Sequence, residues 1–235
     1  MFDPMEIHMT MLGFAGRAHV ALPSVRAIAV PLALDGAGLA PEPMRTRKDI
    51  AMDWTIDATH THFGFAVKHM MVSTVRGQFK RYTGKVRLDP RDFTRSSIEG
   101  AVEVASIDTG VPERDAHLRT GDFFDVAAHP TITFKSTGVE HEEGSRYRVL
   151  GDLTIRGVTK TVTFEVDYSG TARNPWGKTI VGISAAATVH RKEFGVSFDA
   201  PLESGGVLVG DKVRIEIECE LVLTEDAVGT ARASA

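Results

Sequence analysis

Histidine is the residue type in this chain best suited to ligate a metal or move a proton, and the sequence contains 9 histidines. His60 and His62 are two residues apart, so on a β-strand both side chains would lie on one face. Zinc usually takes three or four protein ligands, and the spacing assigns no third ligand to this pair. The sequence therefore predicts no metal centre and no cofactor.

A second polar cluster runs from Arg114 to Arg119. On a helix, Arg114 and His117 are three residues apart, and Asp115 and Arg119 are four apart, so each pair shares a face. Such pairs favour a salt bridge or a tie between the helix and the rest of the fold. The alternative is a contact with the polar head group of a ligand.

Signatures of common enzyme classes are missing from the sequence. It has no nucleophile elbow, no glycine-rich phosphate loop with its lysine, and no zinc-protease helix motif. The single cysteine, Cys219, excludes both an internal disulfide and a cysteine-rich zinc site. We therefore expect a protein that is not an enzyme.

The charge balance is mildly acidic, with 27 Lys and Arg against 31 Asp and Glu and a net charge of −4. This balance argues against nucleic-acid binding, which needs a basic surface. One stretch is locally basic and is expected to be an exposed strand face, with contact to anionic lipid as the weaker alternative. It contains Lys80, Arg81, Lys85, Arg87, Arg91 and Arg95.

From Trp54 onward, apolar and polar residues alternate with a period of two, which predicts strands with one buried face. Turn signals such as Glu142-Glu-Gly and Arg156-Gly separate the strands, and so does Ser204-Gly-Gly. We therefore expect the strands to form an antiparallel meander. Val111–Gly121 breaks the pattern and predicts a short helix, with Pro112 in its first turn and Gly121 closing it in a left-handed conformation.

Several positions on the apolar faces are small, among them Gly100, Gly151, Ala185 and Ala187. If the sheet closes into a barrel of roughly eight strands, these positions would leave room for one small apolar ligand. If it folds into a packed sandwich, larger residues fill the space. Alternation alone does not decide between the two, because it does not report closure of the sheet.

Several sequence blocks, in order, resemble the YceI-like family, which binds polyisoprenoids and other lipids. The first runs from Trp54-Thr-Ile-Asp to Met70, followed by Val75-Arg-Gly-Gln-Phe. Further blocks are Ser106-Ile-Asp-Thr, Arg114-Asp-Ala-His-Leu-Arg-Thr-Gly-Asp-Phe-Phe-Asp, Pro130-Thr-Ile-Thr-Phe-Lys-Ser-Thr, Gly151-Asp-Leu-Thr-Ile-Arg-Gly-Val-Thr-Lys and Arg191-Lys-Glu-Phe-Gly. Each block is weak alone, but together they cover about residues 53–224.

The resemblance implies an all-β, lipocalin-like antiparallel barrel with a short helix near one end. It also implies that the interior carries or sequesters an isoprenoid quinone, a polyisoprenoid or a similar amphiphilic lipid. The alternative is a metal-dependent enzyme acting on an amphiphilic substrate. The expected tail contacts are Phe63, Phe65, Val67, Phe79, Val102, Val104, Phe134, Leu153, Ile155, Phe164 and Ile183. Three further residues are expected towards the head group: His69, Arg114 and His117.

The domain organisation follows from composition. Residues 1–51 hold half of the 10 prolines and no sustained periodicity, so we expect an irregular extension or a misassigned start codon. We expect residues 52–225 to form the barrel and residues 226–235 to form a flexible tail. The sequence predicts no transmembrane segment and no convincing signal peptide, hence a cytoplasmic location, although the resemblance makes a periplasmic or secreted protein the alternative. A homodimer is compatible with the resemblance.

Overall fold

The fold is described from a computed structural model, for residues 51–200 and 207–224. Within these residues, eleven strands form one sheet. They are β1 (Met52–Ile56), β2 (His62–His69), β3 (Ser73–Phe79), β4 (Tyr82–Leu88), β5 (Ser97–Glu103), β6 (Ile107–Asp108), β7 (Thr131–Glu143), β8 (Arg146–Ile155), β9 (Val158–Arg173), β10 (Thr179–His190) and β11 (Val209–Leu223). One α-helix, α1, spans Pro112–Leu118, and short 3-10 turns span Phe93–Arg95, Val104–Ser106 and Arg191–Phe194.

Eight of the strands close into an antiparallel barrel, in the order β1-β4-β5-β7-β8-β9-β10-β11 and back to β1. Closure rests on a short ladder that pairs Trp54 with Leu223 and Ile56 with Leu221. Strands β2, β3 and β6 continue the sheet from the Val209–Glu218 part of β11. The predicted barrel of about eight strands with a short helix is confirmed, and the packed sandwich is not what forms.

The two ends of the barrel differ. One end, which we call the far end, is filled by a plug of buried apolar side chains. They are Trp54, Val86, Leu88, Val181 and Leu221. At the opposite end, which we call the helix end, α1 and the segment from Arg191 to Ala200 follow the ends of β6 and β10. No helix in the described part of the chain is long and apolar enough to cross a membrane.

The predicted helix forms, but its C-terminal boundary was wrong. Pro112 stands in the first turn, as the sequence indicates, but the helix ends at Leu118 and Arg119 is its C-cap. Gly121 does not adopt the left-handed conformation expected of it. The backbone amides of Arg119 and Thr120 instead bond to carbonyls within the last turn, so the chain tightens before it reaches the glycine.

One of the small inward residues does not leave empty space. A Cβ on Gly151 would overlap the Phe134 ring and lie 2.5 Å from the Lys135 carbonyl oxygen. The expectation that Gly151 opens the interior was therefore wrong, because the neighbouring strand's phenylalanine fills this position. Gly100 is different, since a Cβ there would meet only the Thr83 carbonyl at 3.7 Å.

We predict that Gly151→Ala lowers the free energy of unfolding by about 1–3 kcal/mol, because the added methyl group overpacks the wall against Phe134. Gly138→Ala is the matched control on β7, where a Cβ would meet nothing within 4 Å. It should stay within about 0.5 kcal/mol of the parent. Urea unfolding measures both, and equal stability of the two variants would contradict this packing.

Candidate functional site

A cavity of about 290 Å³ lies inside the barrel. Its wall consists almost entirely of aliphatic and aromatic side chains from the inward positions of the strands. Cross-strand partners such as Ala185 and Ile217 both line it, as the period of two requires. An apolar cavity with few polar groups is suited to an extended hydrophobic molecule.

Most of the residues predicted to contact a lipid tail are brought together around this cavity. They come from seven strands and are far apart along the chain. The lining members of that set are Phe63, Phe65, Val67, Phe79, Val102, Phe134, Leu153, Ile155, Phe164 and Ile183.

Four residues of the predicted site do not line the cavity. Val104 lies in a 3-10 turn and not in a strand, and it is buried (1% exposed) without lining the cavity. His69 ends β2, where it pairs with Ser73 and Val209. Arg114 and His117 form hydrogen bonds with neighbouring residues of the helix end, Thr109 and Asp122.

The polar residues of α1 tie the helix to the barrel. Arg114 donates to the Thr109 hydroxyl and carbonyl, while the buried Asp115 accepts from the Thr109 amide and hydroxyl. The pairing of Asp115 with Arg119 expected from their spacing does not form, because Arg119 donates to the carbonyls of Ala105 and Ile107. These contacts agree with the interpretation of the cluster as a structural tie.

His117 also makes contacts that organise the helix end. Its Nε2 lies 2.8 Å from an Asp122 carboxylate oxygen, and its ring stacks edge-on against Phe123 and Phe198. The histidine therefore orders the loop that follows α1, and Phe123 in that loop reaches the cavity.

Sequence reasoning missed the part of the wall that does not come from strands. Leu118 ends α1, Phe123 and Phe124 follow it, and Phe194 and Val196 follow β10, yet all five line the cavity. Strand periodicity could not assign them, because they lie in a helix, loops and a 3-10 turn. The available signal was the presence of Phe123, Phe124 and Phe194 inside the sequence blocks that carry the family resemblance.

Buried Arg191 fastens these segments over the barrel end. Its guanidinium donates to the carbonyls of Val196, Phe198, Val209 and Gly210, at 2.7 to 3.0 Å. The side chain is 6% exposed, and burial lowers its pKa although Asp199 and Asp211 act in the opposite direction. Arg156 plays a similar part by donating to the carbonyls of Gly121, Phe123 and Gly195.

We predict that Arg191→Met lowers the free energy of unfolding by about 3 kcal/mol or more, because several enclosed carbonyls would lose their donor. Arg214→Met removes an exposed arginine paired with Glu216 and should cost less than about 1 kcal/mol. Chemical unfolding compares the two variants. A small effect at Arg191 would show that water replaces the guanidinium without penalty.

His60 and His62 do not belong to the same group of potential metal ligands in the structure. Within the described residues, the only group that gathers three potential metal ligands is Asp57, His60 and Glu220, whose ligand atoms lie within 4.8 Å of one another. The His62 ring instead covers Gly64, where a Cβ would lie 2.5 Å from its Nε2. The His60 Nδ1 lies 3.0 Å from the Asp57 carboxylate and 3.9 Å from that of Glu220.

The hydrogen bond to Asp57 raises the pKa of His60, with a smaller contribution from Glu220, and the same bond lowers the pKa of Asp57. The stabilising contact is therefore complete below the ordinary histidine pKa of about 6.5 and is lost as the pH rises through the raised value. We predict that Asp57→Asn lowers the His60 pKa more than Glu220→Gln does. An NMR titration of the ring protons measures this, and an equal effect of the two variants would contradict the assignment.

The basic stretch after β3 is largely neutralised by partners. Lys80 pairs with Asp108 at 2.6 Å, Arg81 with Glu103 at 2.5 Å, and Arg87 with Asp53 at 3.2 Å. Cross-strand ion pairs of this kind agree with the interpretation of an exposed strand face.

The fold and the cavity together define a class of protein, the small antiparallel barrel with an apolar interior, which in other proteins holds one small ligand. The family model described as the YceI-like domain matches residues 54–221. The chain therefore belongs to the YceI-like family, as the sequence blocks predict.

Relatives agree with this assignment. A UPF0312 protein of Staphylococcus aureus strain USA300 is 36% identical over 174 residues, which cover 74% of this chain and 99% of the relative. The crystal structure of Burkholderia cenocepacia BcnA superposes with a TM-score of 0.62 at 25% identity, over 70% of this chain and 98% of BcnA. A polyisoprenoid-binding domain from Saccharophagus degradans shares the fold, with a TM-score of 0.51 at 13% identity over 74% of this chain and 99% of that domain.

Proposed function

We propose that this protein binds a long-chain lipid inside the barrel and carries or sequesters it without chemical change, the lipid being an isoprenoid quinone, a polyisoprenoid or a similar amphiphile. The observation that carries the proposal is the apolar cavity, enclosed by the strands and plugged at the far end by Trp54, Leu88 and Leu221. The polyisoprenoid-binding domain with the same fold supports the class of ligand.

Hydrophobic burial supplies the affinity in this proposal. Each methylene removed from water contributes about 0.8 kcal/mol, so a chain of several isoprene units binds firmly without a polar contact. Because this interaction has no direction, the cavity selects for the width and length of the chain more than for its chemistry. Because the far end is filled by the plug, we expect the head group to lie towards the helix end.

The alternative, a metal-dependent enzyme acting on an amphiphile, finds less support. Asp57, His60 and Glu220 do not line the cavity, and Glu220 alternates on β11 with the inward-facing Cys219 and Leu221. A metal held there would not meet the enclosed part of a ligand. Metal analysis of the purified protein tests the alternative, and stoichiometric metal with activity lost in a His60→Ala variant would favour it.

We predict that organic extraction of the protein purified from its native source releases a stoichiometric apolar lipid, identified by mass spectrometry. Ala185→Leu projects bulk into the cavity and should reduce the amount recovered, whereas Ala186→Leu, one residue along β10 and absent from the cavity wall, should leave it unchanged. Absence of lipid from the parent, or equal recovery from Ala185→Leu, would refute the proposal.

Cys219 provides a second readout, because it is the only cysteine and it lines the cavity. Burial raises the pKa of its thiol, so alkylation should be slow even in the lipid-free protein. Added lipid should slow alkylation further.

The homodimer, the lack of nucleic-acid binding and the cellular location stay predictions.

A further inference from the structure

The turn between β2 and β3 carries an exposed apolar tip, which we define as Met70, Met71 and Val72. Their exposed fractions are 42%, 62% and 83%. The Met70 amide donates to the Leu208 carbonyl at 2.9 Å, which places apolar Val207 and Leu208 beside the tip. Water-exposed apolar residues grouped at one point typically mark an interaction surface.

The backbone of this tip is unusual for its sequence. Met70 and Met71 have φ values of 50° and 61°, in the left-handed region that tight turns normally fill with glycine or asparagine. The turn therefore keeps two large apolar side chains where glycine would lower the conformational cost. Methionine is flexible and polarizable, so it suits an irregular apolar partner.

Three exposed cations near the tip have no carboxylate partner among the residues that the structure describes. Lys68, Arg76 and Lys212 are exposed and form no ion pair with any described residue. Lys68 packs beside Gly210 at the start of β11, and Arg76 lies on the neighbouring strand opposite Ala66. Asp211, adjacent to Lys212, is bound by His190 at 2.6 Å.

Three paired cations elsewhere in the sheet differ from those near the tip. Lys80, Arg81 and Arg87 are each held by a carboxylate, whereas Lys68, Arg76 and Lys212 pair with no carboxylate of the described residues. A second copy of this chain docked tip to tip would bring like charges together. An anionic lipid surface satisfies both the cations and the apolar tip.

We propose that the tip docks on membranes that contain anionic lipids, with Met70, Met71 and Val72 entering the interface while Lys68, Arg76 and Lys212 contact the head groups. The tip is joined to the cavity wall, because Val67 on β2 and Val209 on β11 line the cavity next to it. Its use for loading or releasing a lipid rests on the function proposed above, but membrane contact itself does not.

Co-sedimentation of the full chain with vesicles tests the proposal. We expect binding to vesicles of phosphatidylglycerol and phosphatidylcholine, and weak binding to phosphatidylcholine alone or at high salt. The double variant M71S/V72S should bind at least about fivefold more weakly, because its apolar side chains are lost. K68Q/R76Q should bind about tenfold or more weakly, because two cations no longer meet the anionic surface.

Matched controls separate this surface from general effects. Trp176→Ser removes an equally prominent apolar side chain, 81% exposed, in the turn between β9 and β10 at the far end. R146Q/R148Q removes two cations that are paired with Glu143 and Glu140. Both controls should bind vesicles like the parent, and thermal melting confirms that every variant is folded.

Three results would overturn the proposal: vesicle binding unchanged in both tip variants, equal binding to neutral vesicles, or an equal loss in the two controls. A dimer in ultracentrifugation that only the tip variants abolish, without vesicle binding, would also overturn it in favour of a second copy.

Ala185→Leu should still bind vesicles. A barrel without lipid and a tip without membrane affinity are therefore separate outcomes.

Discussion

The three residue pairs that join β1 to β11 are the contact on which the rest of the structure depends. An antiparallel sheet with one apolar face must cover that face, and closure of the ring covers it with the sheet itself. Once Trp54 and Ile56 pair with Leu223 and Leu221, the eight strands form a closed ring. Their inward side chains surround one volume together with those of β2 and β3. That volume is partly empty, because small residues such as Gly100 and Ala185 contribute to its wall.

The two ends of the barrel follow different physical rules. The far end is filled by apolar side chains, whose packing needs no special chemistry. At the helix end, the chain runs through loops whose carbonyls would be left without donors, and Arg191, Arg156 and Arg119 supply them. The guanidinium group is suited to this task because its five donors are held in a fixed plane. The arginines thereby hold Phe123, Phe194 and their neighbours over the cavity.

Much of the fold could be predicted because strand alternation is a local property. Phe63, Phe65 and Val67 were assigned to one face from their spacing, and the structure places all three on the cavity wall. The prediction was less complete where the chain leaves the strands. Val104 sits in a 3-10 turn that no periodicity announces, and the partners of Arg119 lie 12 and 14 residues away in the chain.

The sequence by itself determined which side chains share a face, where the chain turns and which family the blocks resemble. These properties depend on neighbours within a few residues. Only the tertiary structure decided that the sheet closes, that Phe134 fills the space beside Gly151, and that the tip from Met70 to Val72 stands exposed near cations with no carboxylate partner among the described residues. Each of these outcomes depends on residues from different strands, and their proximity is set by the register of the barrel.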